Sequence, residues 1–198
     1  MSTIATDRIQ YLQTCIARND DQHAYKELFI GLYSHLTQFA FSIVKTRESA
    51  EEVVSDLFIK IWEKRKALEK IGNLKVYLYV ATRNIALNYL EKQKRAATNS
   101  LEDCSADFTS LYFDPEQLMI TADMLELIEK AIDGLPPKCK MIFKLVKEDN
   151  LRYKEVAEIM GISVKTVENQ LAIALRKIGS VISFNIHRTI STSVGQSK

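Results

Sequence analysis

YKEVAEIMGISVKTVENQLAIALRKI, running from Tyr153 to Ile178, is the stretch on which the fold turns. Its first part sets Val156, Ala157, Ile159 and Met160 at helical spacing. Gly161 follows, where a turn needs a residue that accepts positive φ, and Ser163 offers a hydroxyl to the first amides of a second helix. The pattern predicts helix, turn, helix. At about 100° per residue the second helix divides into two faces: Val164, Val167, Leu171, Ala174, Leu175 and Ile178 form an apolar side, and Lys165, Asn169, Ala172 and Arg176 form the opposite stripe. A helix that enters a major groove needs this division. Its outward stripe must bring amide and cationic groups to base edges and phosphates, with small side chains between them. Lys165 and Thr166, near the helix start, are placed for first contact. An ordinary amphipathic helix pair would show the same periodicity; the glycine turn, hydroxyl-rich start and basic tail favour DNA binding over it.

Charge is the next guide. The 198 residues are 46% hydrophobic and 26% charged, the composition of one large or two small globular domains. The net charge of +2 hides strong segregation. Residues 1–59 carry −3, residues 60–95 carry +7, residues 96–133 carry −8 and residues 134–178 carry +4. Two basic blocks on either side of an acidic one suit a protein that grips a polyanion at two places. Cys15, Cys104 and Cys139 lie far apart and form no metal-ligand or disulfide pattern, so reduced thiols, no metal and no cofactor are expected. Neither a secretory leader nor an apolar run of about 20 residues occurs, which predicts a cytoplasmic protein.

Taken in order, the chain predicts an all-α fold of two small helical domains. Residues 7–18 and 24–44 have helical patterns, and a further helix from about Glu48 to Lys64 carries the apolar ridge Ala50, Val53, Val54, Leu57, Phe58, Ile61 and Trp62. Ile59 lies off that ridge among Ser55, Asp56, Lys60 and Glu63, either as a lone surface hydrophobe or as the centre of a docking patch. After a loop at 67–73, a helix from Leu74 to about Arg95 spreads Val76, Leu78, Val80, Ile85, Leu87, Tyr89 and Leu90 around most of its circumference, so it should be nearly enclosed. One stripe stays open: Tyr77, Ala81, Asn84, Asn88, Lys92 and Arg95 fall within about 80° of one another. A ring, two amides and two cations in line suit nucleic acid, by stacking, base-edge bonds and phosphate contacts; a solvated polar strip is the alternative. Periodicity lapses from Ala96 to Tyr112. A helix capped by Asp114, with Pro115 in its first position, then runs to Gly134, and the Leu135-Pro136-Pro137 break starts another over about 138–147. Residues 181–198 should fray.

These features together resemble the sigma-70-type RNA polymerase sigma factors of the extracytoplasmic-function (ECF) group. AEEVVSDLFIKIWEKR and LKVYLYVATRNIALNYLEKQKR, including Trp62 and Arg83-Asn84, are similar to motifs of that family's domain two. The Leu135-Pro136 break and EVAEIMGISVKTVENQLAIALRKI are similar to its domain four. The resemblance implies domain two over 1–95, a linker over 96–113, domain four over 114–180 and a tail over 181–198. It implies docking on the β′ clamp helices of core RNA polymerase through Ser55, Asp56, Ile59, Lys60 and Glu63, with the β subunit also in contact. Promoter minus-ten DNA would be bound and opened by the 66–95 segment, with Tyr77, Asn84, Asn88, Lys92 and Arg95 as contacts. The minus-thirty-five element would be read by Lys165, Thr166, Glu168, Asn169, Ala172 and Arg176. An anti-sigma partner, able to hold the factor at the inner membrane face, is implied; a small-molecule substrate is not. Ser55-Asp56 stands on the docking helix where relatives often have Gln-Glu; on the recognition helix Glu168-Asn169 stands where many have Lys/Arg-Ser, so no promoter sequence carries over. A helix-turn-helix regulator acting without polymerase is the alternative, and it leaves the 74–95 stripe without a role. An enzyme is disfavoured because His23, His35 and His187 are isolated and no carboxylates cluster on a shared face.

Overall fold

The structure, a computed structural model, describes residues 4–96 and 122–194. Eight helices form among them: α1 Thr6–Asn19, α2 Gln22–Val44, α3 Arg47–Glu63, α4 Leu74–Ala96, α5 Ala122–Asp133, α6 Pro137–Lys147, α7 Tyr153–Met160 and α8 Val164–Val194, with a 3-10 turn at Arg65–Lys70 between α3 and α4. No strand occurs among the described residues. The linker, the Asp114-Pro115 helix start and Cys104 lie outside them.

Short polar caps set the boundaries. Asp21 accepts hydrogen bonds from the His23 and Ala24 amides at 2.8 and 3.0 Å and so starts α2; Thr46 accepts from the Ser49 amide at 3.3 Å and starts α3. Between them the chain reverses at left-handed residues, Asp20 after α1 and Lys45 after α2. Proline does the same work for α6, where Pro136 precedes Pro137 at a position whose amide needs no intrahelical partner.

The contacts divide the chain into two compact units, one built on α1–α4 together with residues 154–161, which hold most of α7, and the other on α5, α6 and α8. In the first, α2 packs against α1, α3 and α4. Its centre holds Leu28, Leu32 and Leu36 of α2, Leu57 and Phe58 of α3, Leu78 and Tyr79 of α4, and Leu12 and Ile16 of α1, all essentially without solvent contact. Aromatic pairs tie the helices across this core: Phe58 meets Phe29 with ring centres 4.8 Å apart, and Phe39 meets Tyr79 edge-on at 5.2 Å. In the second unit Ile128, Ile132, Leu135, Cys139, Phe143, Leu171, Ala174 and Ile178 form one cluster. Cys139 donates to the Gln170 carbonyl at 3.2 Å, and burial pushes its thiol pKa up, which fits a core residue and not a reactive one.

Four expectations change. The 67–73 loop is half replaced by the 3-10 turn, because Leu68 is drawn into the core and tightens the chain around it. The α4 helix is enclosed only over its first turns, where Leu74, Lys75, Val76, Leu78 and Tyr79 are all buried; further on, Thr82 and Ala86 face inward and Leu87 is 43% exposed. On α8 the packed sector is Val167, Leu171, Ala174 and Ile178, spanning only about 60°. Leu175 lies beyond its edge and is 48% exposed, and Val164 is half-buried. Finally, the tail does not fray at 181: the α8 backbone is helical to Val194, since a helix already fixed by packing extends with no new nucleation cost. Trp62 is half-buried at the end of the α3 ridge, its ring 4.9 Å from Tyr25 and under the Arg65 guanidinium at 4.7 Å.

Candidate functional site

On α3 the buried ridge Val53, Val54, Leu57, Phe58 and Ile61 fixes which way the opposite face points. Ser55, Asp56, Ile59, Lys60 and Glu63 are all exposed, with Ile59 at 56%. The Ser55 hydroxyl turns back and donates to the Glu51 carbonyl at 2.8 Å, which leaves Ile59 as the apolar centre of a face rimmed by charge.

The α4 stripe is brought to one side as expected. Tyr77 is 43% exposed, Asn84, Asn88, Lys92 and Arg95 are exposed, and Ala81 is half-buried between them. Burial of Tyr79, Thr82 and Ala86 on the far side holds this orientation, and Thr82 satisfies its hydroxyl by donating to the Leu78 carbonyl at 2.8 Å. Arg95 lies 3.5 Å from Glu91 one turn before it.

Ahead of the stripe, the 3-10 turn exposes Lys66, Ala67, Glu69 and Lys70 while Leu68 is buried at 2%. Several of its supports come from α1 and the residue that ends it. Gln13 donates from its side-chain nitrogen to the carbonyls of Leu68 and Ile71 at 2.6 and 2.7 Å. Arg18 donates to Glu69 at 2.6 Å, and Arg65 pairs with Asp20. Asn73 then caps α4 by accepting from the Val76 amide at 3.2 Å. Reading the sequence alone missed Gln13, although a signal was present: it is the polar residue between Leu12 and Ile16 on the inward side of α1.

The turn before α8 has the expected geometry. Gly161 has φ +64 and its amide donates to the Glu158 carbonyl at 3.2 Å. Ser163 Oγ accepts from the Thr166 amide at 3.1 Å and lies 2.8 Å from the Thr166 hydroxyl. Thr166 is therefore half-buried and engaged in the cap, whereas Lys165, Glu168, Asn169, Ala172 and Arg176 are exposed. Lys165 lies 3.2 Å from Glu168 and this exposed pair is held only weakly. Ile173, 38% exposed, adds an apolar edge to the stripe that the sequence reading did not include. Among the described residues no group of histidines, cysteines and carboxylates is arranged to hold a metal ion, and no helix is long and apolar enough to cross a membrane.

Comparison with known proteins bears on the family of the two helical regions. Residues 28–96 match the family model for sigma-70 region 2, and residues 125–178 match that for sigma-70 region 4. The ECF RNA polymerase sigma-E factor of Escherichia coli K12 is 27% identical over 175 residues, covering 85% of this chain and 91% of its own. That of Haemophilus influenzae is 26% identical over 160 residues, covering 76% and 83%. Two solved structures share the fold. One is the sigma factor RpoE in complex with the anti-sigma factor NepR from Bartonella quintana, with TM-score 0.55, 21% identity and coverage of 80% of this chain and 96% of that one. The other is CnrH in complex with the cytosolic domain of CnrY, with TM-score 0.51, 20% identity and coverage of 90% and 98%. Two family regions in their expected order, with relatives that cover most of the chain, lead to one assignment: the chain belongs to the ECF group of sigma-70-type RNA polymerase sigma factors, which direct polymerase to promoters.

Proposed function

We propose that the exposed α3 face, Ser55, Asp56, Ile59, Lys60 and Glu63, docks on the clamp helices of core polymerase, with domain two over 1–95 as the main anchor. The 66–73 loop and the α4 stripe Tyr77, Asn84, Asn88, Lys92 and Arg95 then capture and open the minus-ten element. Domain four, over 114–180, reads minus-thirty-five duplex through Lys165, Thr166, Glu168, Asn169, Ala172 and Arg176 and contacts the β subunit. The 96–113 linker connects the two, and its acidic charge suits a path through positive channels built for nucleic acid. Residues 181–198 follow as a tail, at whose start Ile182 still packs against the core cluster of the second unit. Because solved relatives are held by partner proteins, one named as an anti-sigma factor, an anti-sigma factor is proposed as the regulator here, keeping the protein in the cytoplasm or at the inner membrane face. The reading involves no catalysis and no cofactor.

The observation that carries it is Ile59, 56% exposed at the centre of a charged face on a helix whose opposite side is core. An isolated regulator gives that face, and the amide stripe on α4, nothing to do. Pull-down of core polymerase is the test. Ile59→Glu places a charge at the centre of the interface and should lower retention by tenfold or more, on the order expected of a central interface residue, while Glu69→Ala should retain core as wild type does. Equal retention by both variants would put the docking face elsewhere.

A further inference from the structure

Gln13 is 7% exposed, in the row of α1 that otherwise buries Ile9, Leu12, Ile16 and Ala17. An amide in such a place is costly unless it is hydrogen-bonded, and methionine would fill the position with similar volume. Both of its observed partners are carbonyls, of Leu68 at 2.6 Å and of Ile71 at 2.7 Å, so the nitrogen and not the oxygen must face them. The Leu68 carbonyl also accepts from the Ile71 amide at 2.9 Å. One side chain thus clasps the closing hydrogen bond of the 3-10 turn, from a helix more than fifty residues earlier in the chain.

A 3-10 turn has poor hydrogen-bond geometry and rarely persists unaided. This one exposes four of its six residues and sinks only Leu68. Its fixed shape comes from outside: from the Gln13 amide, from Arg18 paired with Glu69 and from Asp20 paired with Arg65. We propose that Gln13 is a positioning residue for minus-ten recognition: by holding the Leu68 and Ile71 carbonyls, its amide keeps the 66–73 loop in the one shape that receives an unstacked base. It touches no DNA itself. The inference rests on the loop's role proposed above, and it says why a buried amide stands where an apolar side chain would pack. A preset loop loses less freedom on binding, which raises affinity and sharpens discrimination.

The test uses holoenzyme reconstituted with core polymerase and a fork-junction DNA whose minus-ten window is single-stranded and randomised, with preferred bases selected on the wild type. Four quantities are read: base preference in that window, affinity for the selected DNA, affinity for core and the melting temperature of the free factor. Gln13→Met keeps the volume and removes both donors. It should lower affinity for the selected DNA and flatten preference at one position by about tenfold, the scale of two lost hydrogen bonds, with core affinity within about twofold of wild type. Arg18→Glu and Glu69→Arg should each weaken the same preference about two- to threefold, and the double exchange should restore it, which a direct DNA contact by Glu69 would not do. These exposed variants fold independently of the buried site, so they carry the test if Gln13→Met does not fold. Lys66→Ala with Lys70→Ala probes the loop surface directly. If it shifts minus-ten affinity while Gln13→Met and the charge exchanges do not, the positioning role is overturned and the loop's role stands; if none of them shifts it, the loop's role falls first.

Discussion

The exposed stripes of α4 and α8 look alike on a helical wheel, with amides and cations a turn apart, yet they are set in opposite ways. The α8 stripe faces away from a narrow packed sector, Val167, Leu171, Ala174 and Ile178, on a helix whose other residues between Val164 and Ser180 are exposed or half-buried. The α4 stripe is what remains visible of a helix gripped on several sides in its first turns, where even Lys75 is buried, and on one side in the later ones. A helix with one packed face can enter a groove as a unit. A helix embedded in a domain cannot enter one, but it offers a rigid wall against which a separated strand can lie. The contrast matches the division of labour proposed for the two: duplex reading on α8, strand capture on α4.

The largest effects should come from breaking the packing that creates the contrast. Tyr79→Ala removes a fully buried ring that meets Phe39 at 5.2 Å and should cost about 3–5 kcal/mol, while Leu171→Ala in the second unit should cost about 2–5 kcal/mol. Leu87→Ala and Leu175→Ala, exposed at 43% and 48%, should each stay below about 1 kcal/mol. Urea denaturation measures all four, and a Leu175 variant as damaging as Leu171 would mean the packed sector of α8 is wider than described.

Next in size is strand opening. Asn84→Ala combined with Asn88→Ala, both exposed and outside the core, should leave folding and core binding intact and reduce run-off transcription from duplex promoters by about a hundredfold, because holding an unstacked base must offset a few kcal/mol. Activity should partly return on a template pre-melted across the minus-ten element. Permanganate reactivity of promoter thymines reads the step directly; wild-type reactivity in the double variant would make the stripe mere solvated surface.

The two helices also differ in how far the sequence discloses them. On α8 periodicity placed Lys165, Asn169, Ala172 and Arg176 outward without error, because a helix with one packed side has one apolar period to read. It erred on Leu175, which counts as apolar by type but lies about 40° outside the packed sector. On α4 the pattern blurs, since burial on several sides admits Lys75 and Thr82 alongside leucines; the stripe could be found only as the residues left over. Gln13 is legible as a polar residue in the inward row of α1, but its role is not. Its partners are backbone carbonyls 55 and 58 residues away, and nothing in a local window reports them. The caps at Asp21, Thr46 and Ser163 are decided within three residues and can be read from sequence.

Within α8 the effects become smaller and more specific. Asn169→Ala should change base preference at one minus-thirty-five position by about 1–3 kcal/mol, whereas Arg176→Ala should weaken all sequences alike and lower the salt dependence of binding by about one phosphate contact. Binding of the full factor in holoenzyme to duplex series at several salt concentrations separates the two. An Arg176 variant with unchanged affinity at moderate salt would rotate the proposed face away from DNA.

The smallest effect has the most informative sign. Ser163 accepts the Thr166 amide at 3.1 Å and touches the Thr166 hydroxyl at 2.8 Å, so the cap and one proposed DNA contact share atoms. Ser163→Ala removes the cap and should cost about 1 kcal/mol of stability. It should also weaken minus-thirty-five binding slightly, because the first turn, with Lys165 and Thr166, must be ordered on the DNA. Ser163→Asp separates these consequences. Its carboxylate caps the helix as well as serine does and interacts favourably with the helix dipole, so the melting temperature should hold or rise slightly. If the N-terminus of α8 meets phosphates, the same negative charge must repel them, and affinity for duplex DNA should fall severalfold, most at low salt. Opposite signs for stability and binding place the start of α8 at the DNA backbone. A Ser163→Asp variant that binds duplex as tightly as wild type at low salt would mean that this end of the helix points elsewhere, however well the rest of the stripe is aligned.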